Sequence, residues 1–416
     1  MSPKQQRTVE ILSRLDGRRL DVRTAGEMLG VGERQVYRLQ ASYRREGLAA
    51  VVHGNQGRTP RNRTDPALVE RIVALAGPGG KYQDLNTCHL QDLLEREEQI
   101  VIGRSTLDRL LKASGVRPKS KRGRPIHRRR RPRRLAEGML VQIDGSPFAW
   151  LEERGPKGVL MGAVDDATGK IVSLLFRPTE DQIGYLLLLR SIAQRYGLPM
   201  SIYHDRHTIL RSPKQPTVEE QLAGQAPMSQ IQRVMADLGI ESIPAYSPQA
   251  KGRIERLWGI LQDRLTKELR LAGISTLEAA DAWLPGFIEG YNRQFAKVPA
   301  DPIDAWVPLA ADFDTSYHFA SRQTRVVTED HCISYQGHKL QLLPDAQTPN
   351  LANQRVAVHV VPEGDIHLYL GKLPVRHQPV VPTQAAPPAP APTPSTAKQP
   401  KPAAAARRRA WLYGHP

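Results

Sequence analysis

An acid-free run of eighteen residues, 117–134 (RPKSKRGRPIHRRRRPRR), holds eleven basic side chains. It cannot bury a core and its like charges repel, so it separates whatever folds before it from whatever folds after it. It is expected to be extended and disordered until it meets an anion. Nucleic-acid backbone fits that description, because neutralising phosphates releases condensed counterions. A targeting signal or a solubilising tether are the alternatives.

The whole chain of 416 residues carries 59 Lys and Arg against 42 Asp and Glu, a net charge of +17. A second acid-free run, 376–416, has six basic residues, and the two runs together account for the entire excess. No apolar stretch approaches the ~18 to 20 residues of a membrane span, which excludes an integral helical membrane protein. With no apolar leader in MSPKQQRTVE the expectation is a cytoplasmic protein. Cys88 and Cys332 are the only cysteines, too few for a disulfide framework or a Cys-based zinc site within one chain.

Residues 1–64 hold 13 basic and 6 acidic side chains and read as three short helices. Val9, Ile11, Leu12 and Leu15 make one apolar face before Gly17. A second segment, 24–29, ends at Gly30-Val31-Gly32, and a third, 33–45, is expected to turn Val36, Tyr37 and Leu39 inward. This is a helix-turn-helix rhythm. Arg34, Gln35, Arg38, Arg44 and Arg45 on its third helix are donors suited to phosphates and base edges. A helical bundle with a solvated basic face is the bland alternative.

Residues 65–116 repeat the theme, with helices at 66–76, 87–97 and 105–114, the last capped by Ser105, and a β-like piece at 100–102. Their slight negative charge makes a spacer role as reasonable as DNA binding. From 135 to 310 the pattern changes to strands at 139–143, 159–164 and 171–176, a helix at 181–196, a strand at 201–203, a helix at 229–238, a strand near Ile243 and a long helix at 253–271. That order describes an α/β layer fold with a mixed sheet. Residues 320–375 read as five short strands, suggesting a small β-barrel. The Pro/Ala-rich tail, 376–416, is expected to be disordered.

Three carboxylates stand out by context: Asp144 in VQIDGSP, Asp205 in IYHDRH and Glu255 in GRIERLW. Both aspartates are placed at strand ends. On the long helix Ile254, Leu257, Trp258, Leu261 and Leu265 make one buried stripe, and Glu255 borders it at ~100°. Clustered carboxylates repel unless a hard cation offsets them, and Mg²⁺ is the usual one where phosphate oxygens complete the shell. Two such ions ~4 Å apart support in-line displacement at phosphorus. An isolated Asp at a strand end is more often a cap. Asp165 and Asp166 are rivals, but Ala167-Thr168-Gly169 follows and makes a turn the better reading. His204 and His207, lacking further ligands nearby in sequence, suit phosphate contact or structural bonding better than zinc.

The succession of a helix-turn-helix region, a basic linker, QIDGSP, DDATG, YHDRH and YSPQAKGRIERLWGILQDRL resembles the DDE-type insertion-sequence transposases with a retroviral-integrase-like core, the ISNCY group in particular. The likeness covers about residues 10 to 375. It implies an RNase H-like catalytic core whose acidic triad is Asp144, Asp205 and Glu255. Those residues would hold two Mg²⁺ ions, with Mn²⁺ as a substitute: Asp144 bridging both, the others taking one each. It implies a β-barrel at 320–375 similar to that of Mu-like transposases, and phosphate contacts from Lys251, Arg253 and Arg256 beside those of Arg128, Arg129, Arg130 and Arg131 in the linker. The implied partners are double-stranded DNA, as terminal repeats and target, and further copies of the chain on that DNA in a bacterial nucleoid. The zinc module of retroviral integrases is absent, and residues 211–227 have no functional reading. A catalytically inactive DNA-binding repressor or architectural protein, and an RNase H-type ribonuclease, are the alternatives.

Overall fold

The computed structural model describes residues 2–52, 63–116, 131–212, 227–245 and 252–380. They fall into two compact units that divide between Arg122 and Gly123.

The first unit is helical. Helix α1 (Pro3–Asp16) starts in a capping box, Ser2 Oγ accepting from the Gln5 amide while the Gln5 side chain accepts from the Ser2 amide. Helix α2 (Val22–Leu29) is capped by Asp21 and stops at Gly30, whose φ of +67° suits glycine. Helix α3 (Glu33–Glu46) packs Val36 against Ile11, Leu12, Leu15 and Ala25. Tyr37 does not turn inward as expected: it is 57% exposed. One helical step of ~100° from a fully buried Val36 carries it to the outer face.

Helices α4 (Pro66–Ala76), α5 (Thr87–Glu98) and α6 (Arg104–Ala113) complete this unit. Residues 100–102 form no strand among the described residues; the Ile100 amide is spent on the Leu94 carbonyl as α5 ends. The cap of α6 is Gly103, with no side-chain cap bond, where Ser105 had been expected.

The second unit is built on a five-stranded sheet of β1 (Val141–Phe148), β2 (Gly158–Asp165), β3 (Ile171–Arg177), β4 (Ser201–His204) and β5 (Glu241–Pro244), in the order β3-β2-β1-β4-β5. The first three strands form an antiparallel meander, whereas β4 and β5 run parallel to β1. Every residue of β2 is buried, which fits a central strand covered on both faces. Helices α7 (Gln182–Tyr196) and α8 (Gln230–Asp237) share one core with Val141, Ile143 and Ile202. Helices α9 (Gly252–Leu271) and α10 (Leu277–Phe295) share the other with Leu160, Val164 and Leu174.

Helix α10 is absent from the sequence reading, and Pro285, Gly286 and Gly290 lower its helix propensity. Leu277, Ala280, Leu284, Ile288 and Tyr291 recur at helical spacing and are buried, and that burial outweighs propensity. Polar side chains of α10 also occupy the β3 edge: Asp281 accepts from the Phe176 amide at 2.6 Å, and Asn292 bonds the Ile171 amide and carbonyl, each at 2.8 Å.

Beyond the core come α11 (Thr315–His318), β6 (Ser321–Val326), β7 (Cys332–Tyr335), β8 (His338–Leu342), β9 (Arg355–Val360), β10 (Ile366–Leu370), β11 (Leu373–Val375) and β12 (His377–Pro379). They make two antiparallel sheets, β11-β10-β9-β6 and β12-β8-β7, over one apolar core that includes Ile333, Leu340, Val356 and Leu368. The small barrel of the sequence reading thus takes the form of two packed sheets, with no ladder joining them among the described residues. Strand β12 pairs with β8 and moves the module's edge past 375, because His377–Pro379 satisfies an otherwise open strand. The expected disordered tail from 381 onward lies outside the described residues. No described helix is long and apolar enough to cross a membrane.

Candidate active site

Strand β1 sorts its side chains by alternation. Val141 and Ile143 point into the α7 core, so Gln142 and Asp144 face α9. Asp144 is not at the strand's end as expected. The antiparallel ladder to β2 pairs it with Gly162 and runs on to Phe148, because Ser146 and Pro147 still have partners across the ladder.

On its other side β1 meets β4 in parallel, Val141 opposite Ile202 and Gln142 opposite Tyr203. Asp144 and Asp205 each follow two residues after the last paired positions, Gln142 and Tyr203. Both lie where this parallel pairing runs out. Asp205 Oδ1 accepts from the His207 amide at 2.9 Å. Buried His204 bonds the Asp205 carbonyl at 2.6 Å and Ser242 Oγ of β5 at 2.8 Å, a structural role.

Helix α9 is anchored over this edge at two points. The Ile254 amide donates to Gln142 Oε1 at 3.3 Å, and Trp258 Nε1 donates to Asp144 Oδ2 at 3.0 Å. The indole reaches Asp144 because residue 162 is glycine: a Cβ there would stand 2.7 Å from the Trp258 ring and 2.8 Å from Leu174. Removing a buried ring of this kind costs roughly 3–5 kcal/mol. Glu255, exposed, lies one residue past the first anchor and three before the second. Among the described residues no three His, Cys, Asp or Glu side chains stand close enough together to hold a metal ion. The structure therefore sets Asp144 within β1, Asp205 just past the end of the neighbouring β4 and Glu255 on the anchored first turn of α9, without closing them into one cluster among the described residues.

A fourth carboxylate adjoins the site. Glu180 packs where a Cβ on Gly145 would sit, and accepts from the buried Tyr185 hydroxyl at 2.5 Å. Burial foremost, then Glu180 and more weakly Asp144 and Asp205, push the Tyr185 phenol far above its usual range. Tyr185 therefore stays a neutral donor.

The basic residues separate into groups. Arg34, Gln35 and Arg38 are exposed on α3, Arg44 pairs with Asp16, and Arg45 pairs with Glu46. Arg256 is exposed beside Glu255. Arg253 and Arg131, read as phosphate contacts, both pair with buried Asp166, Arg253 Nε at 2.8 Å. The last residues of the linker, 131–134, thus lie on the core, and the expectation of an extended, disordered segment does not hold for them. Arg128, Arg129, Arg130 and Lys251 lie outside the described residues, as does most of 211–227.

Sequence reasoning missed Gln142, Gly162, Glu180, Tyr185 and the part Trp258 plays at Asp144. Asp166, weighed as a rival carboxylate and assigned with Asp165 to a turn, has another role. The turn consumes only Asp165, which accepts from the Thr168 amide and hydroxyl, each at 2.7 Å, leaving a second acid unexplained.

Residues 9–69 match the winged helix-turn-helix family. The protein y4bF of Sinorhizobium fredii, which carries the name transposase, is 34% identical over 88% of this chain and 78% of its own length. The chain belongs to the transposases. The transposase for insertion sequence IS1202 of Streptococcus pneumoniae is 29% identical over 74% of this transposase and 71% of its own length. The catalytic core of BIV integrase overlaps 40% of the chain and 91% of its own, at 20% identity and a TM-score of 0.28, too loosely to carry an argument.

Proposed function

We propose that this transposase is a divalent-metal-dependent polynucleotidyl transferase that binds the ends of its element, cuts the DNA beside them and joins the freed 3′-hydroxyl to a target. The observation that supports the reading is the parallel pairing of β1 with β4, with Asp144 and Asp205 each two residues past its last pair, together with a helix whose indole is tied to Asp144. An all-carboxylate donor set suits a hard cation, and Asp144, Asp205 and Glu255 would hold Mg²⁺, as two ions, or Mn²⁺. Such a cation, when bound, lowers the pKa of an attacking hydroxyl and stabilises the departing oxygen.

The protein's own groups do the positioning. Trp258 fixes one oxygen of Asp144, while the neutral Tyr185 hydroxyl holds Glu180. Exposed Arg256 is placed for a phosphate near Glu255. In the helical unit Arg34, Gln35 and Arg38 face outward on α3, in keeping with contacts to base edges and backbone, and the linker adds salt-dependent affinity. Two element ends call for more than one copy on DNA.

End cleavage with Mg²⁺, measured for Asp144→Ala, Asp205→Ala and Glu255→Ala, tests the reading. Each is expected to fall to background with DNA binding intact, and retained metal-dependent cleavage in any of them removes that residue from the site. The open placement of Glu255 favours one second reading, a DNA-binding repressor that no longer cuts. Full in-cell function after replacing all three would support it.

A further inference from the structure

Asp166 has no exposed surface and accepts four hydrogen bonds from three elements. Arg131 and the Arg134 amide, the latter at 2.9 Å, come from the end of the linker. Gln142 Nε2, at 2.9 Å, comes from β1, and Arg253 Nε, at 2.8 Å, from the first turn of α9. The network closes on itself, since Arg253 Nη2 donates to the Arg131 carbonyl at 3.2 Å and Gln142 Oε1 receives the Ile254 amide. Arg133 adds bonds at 3.0 Å to the Asp166 and Ala167 carbonyls. A fully buried charge is tolerated only with such compensation, and removing a partner leaves the others stranded.

We propose that Asp166 is a positioning residue for the transposase reaction: it clamps the end of the basic linker and the head of α9 to β1, and so sets where Glu255 stands relative to Asp144. Through it the segment that meets DNA phosphates and the turn that bears the third carboxylate share one anchor. Arg131 and Arg253 are then internal struts and are not available for phosphate contact. The inference rests on the reading of Glu255 as a site residue, but the clamp itself is measurable without metal, DNA or turnover.

Hydrogen exchange read by mass spectrometry on the full chain, free of metal and DNA, is the test. Asp166→Asn is expected to speed exchange of the amides at 253–258 by about tenfold or more, with β2 and β3 still protected. Arg131→Gln, at the partly exposed rim, is expected to shift the same amides less, and Arg131→Lys to restore them. In end cleavage Asp166→Asn should lower kcat by about tenfold or more and leave KM for end DNA within about twofold. Unchanged exchange at 253–258 in both Asp166→Asn and Arg131→Gln overturns the inference, as does a cleavage defect confined to KM. If Asp166→Asn loses protection throughout the sheet, Arg131→Gln with its Arg131→Lys rescue decides alone. Retained cleavage by Asp144→Ala would sink the catalytic reading and leave the exchange result standing, so the two failures are separable.

Discussion

Helix α3 and the surroundings of Asp166 are both rich in arginine, and arginines of both were expected to contact DNA, those of α3 from residue type and Arg253 from the family likeness. Their environments part them. On α3 the pairs Arg44–Asp16 and Arg45–Glu46 are solvent-exposed, each arginine side chain more than half open, so water and salt compete with them. Around Asp166 the carboxylate is wholly buried, and Arg253 is only 21% exposed. The same residue type is free to meet a phosphate in the first place and is committed to the fold in the second. Charge counted along a sequence does not separate the two.

That contrast can be broken at its strong end first. Asp166→Ala strands two guanidinium groups and should destabilise the second unit by about 3–5 kcal/mol in denaturant unfolding. A loss under about 1 kcal/mol would make the buried network no different from a surface pair. Gly162→Ala comes next, pushing a methyl group against the Trp258 ring. It should cost about 1–3 kcal/mol and depress end cleavage by moving the indole off Asp144, and adding Trp258→Phe should return part of the stability.

A smaller effect depends on pH. Burial lifts the Asp281 carboxyl to about 6. A raised carboxyl pKa gives stability that is present below the unfolded value and lost as pH rises through about 6. Asp281→Asn keeps an acceptor for the Phe176 amide, so it should be neutral near pH 4 and stabilising by about 1 kcal/mol at pH 8 after allowance for solvent screening. A gain of equal size at both pH values would assign the effect to packing. Smallest of all, Arg44→Ala should change stability by less than about 0.5 kcal/mol. Arg34→Ala should leave stability alone and reduce the salt slope of DNA binding by about one. Equal slopes for the two would erase the distinction drawn on α3.

The outline of the fold was legible because it is written in periodicity. The strand and helix order from β1 to α9 and the buried stripe of α9 follow from local pattern. Helix α10 was not, since its support is the edge of β3, a neighbour more than a hundred residues away in sequence. Tyr37 was misplaced by one helical step, and the α6 cap by two residues, Gly103 filling the place expected of Ser105. Two small sheets were indistinguishable from a barrel, because closure is a property of ladders between distant strands.

For the site, the sequence by itself supplied the candidates: Asp144, Asp205 and Glu255 were proposed from their strand and helix contexts and from the family likeness. Only the tertiary structure decided their relation. It shows a parallel pairing of β1 with β4 that stops two residues before Asp144 and Asp205, a glycine that admits Trp258 to Asp144, and a buried Asp166 that pairs with Arg131 and Arg253. The physical reason is that residue type and period are local quantities. Register, close approach and the burial of a charge depend on what another part of the chain brings to the same place.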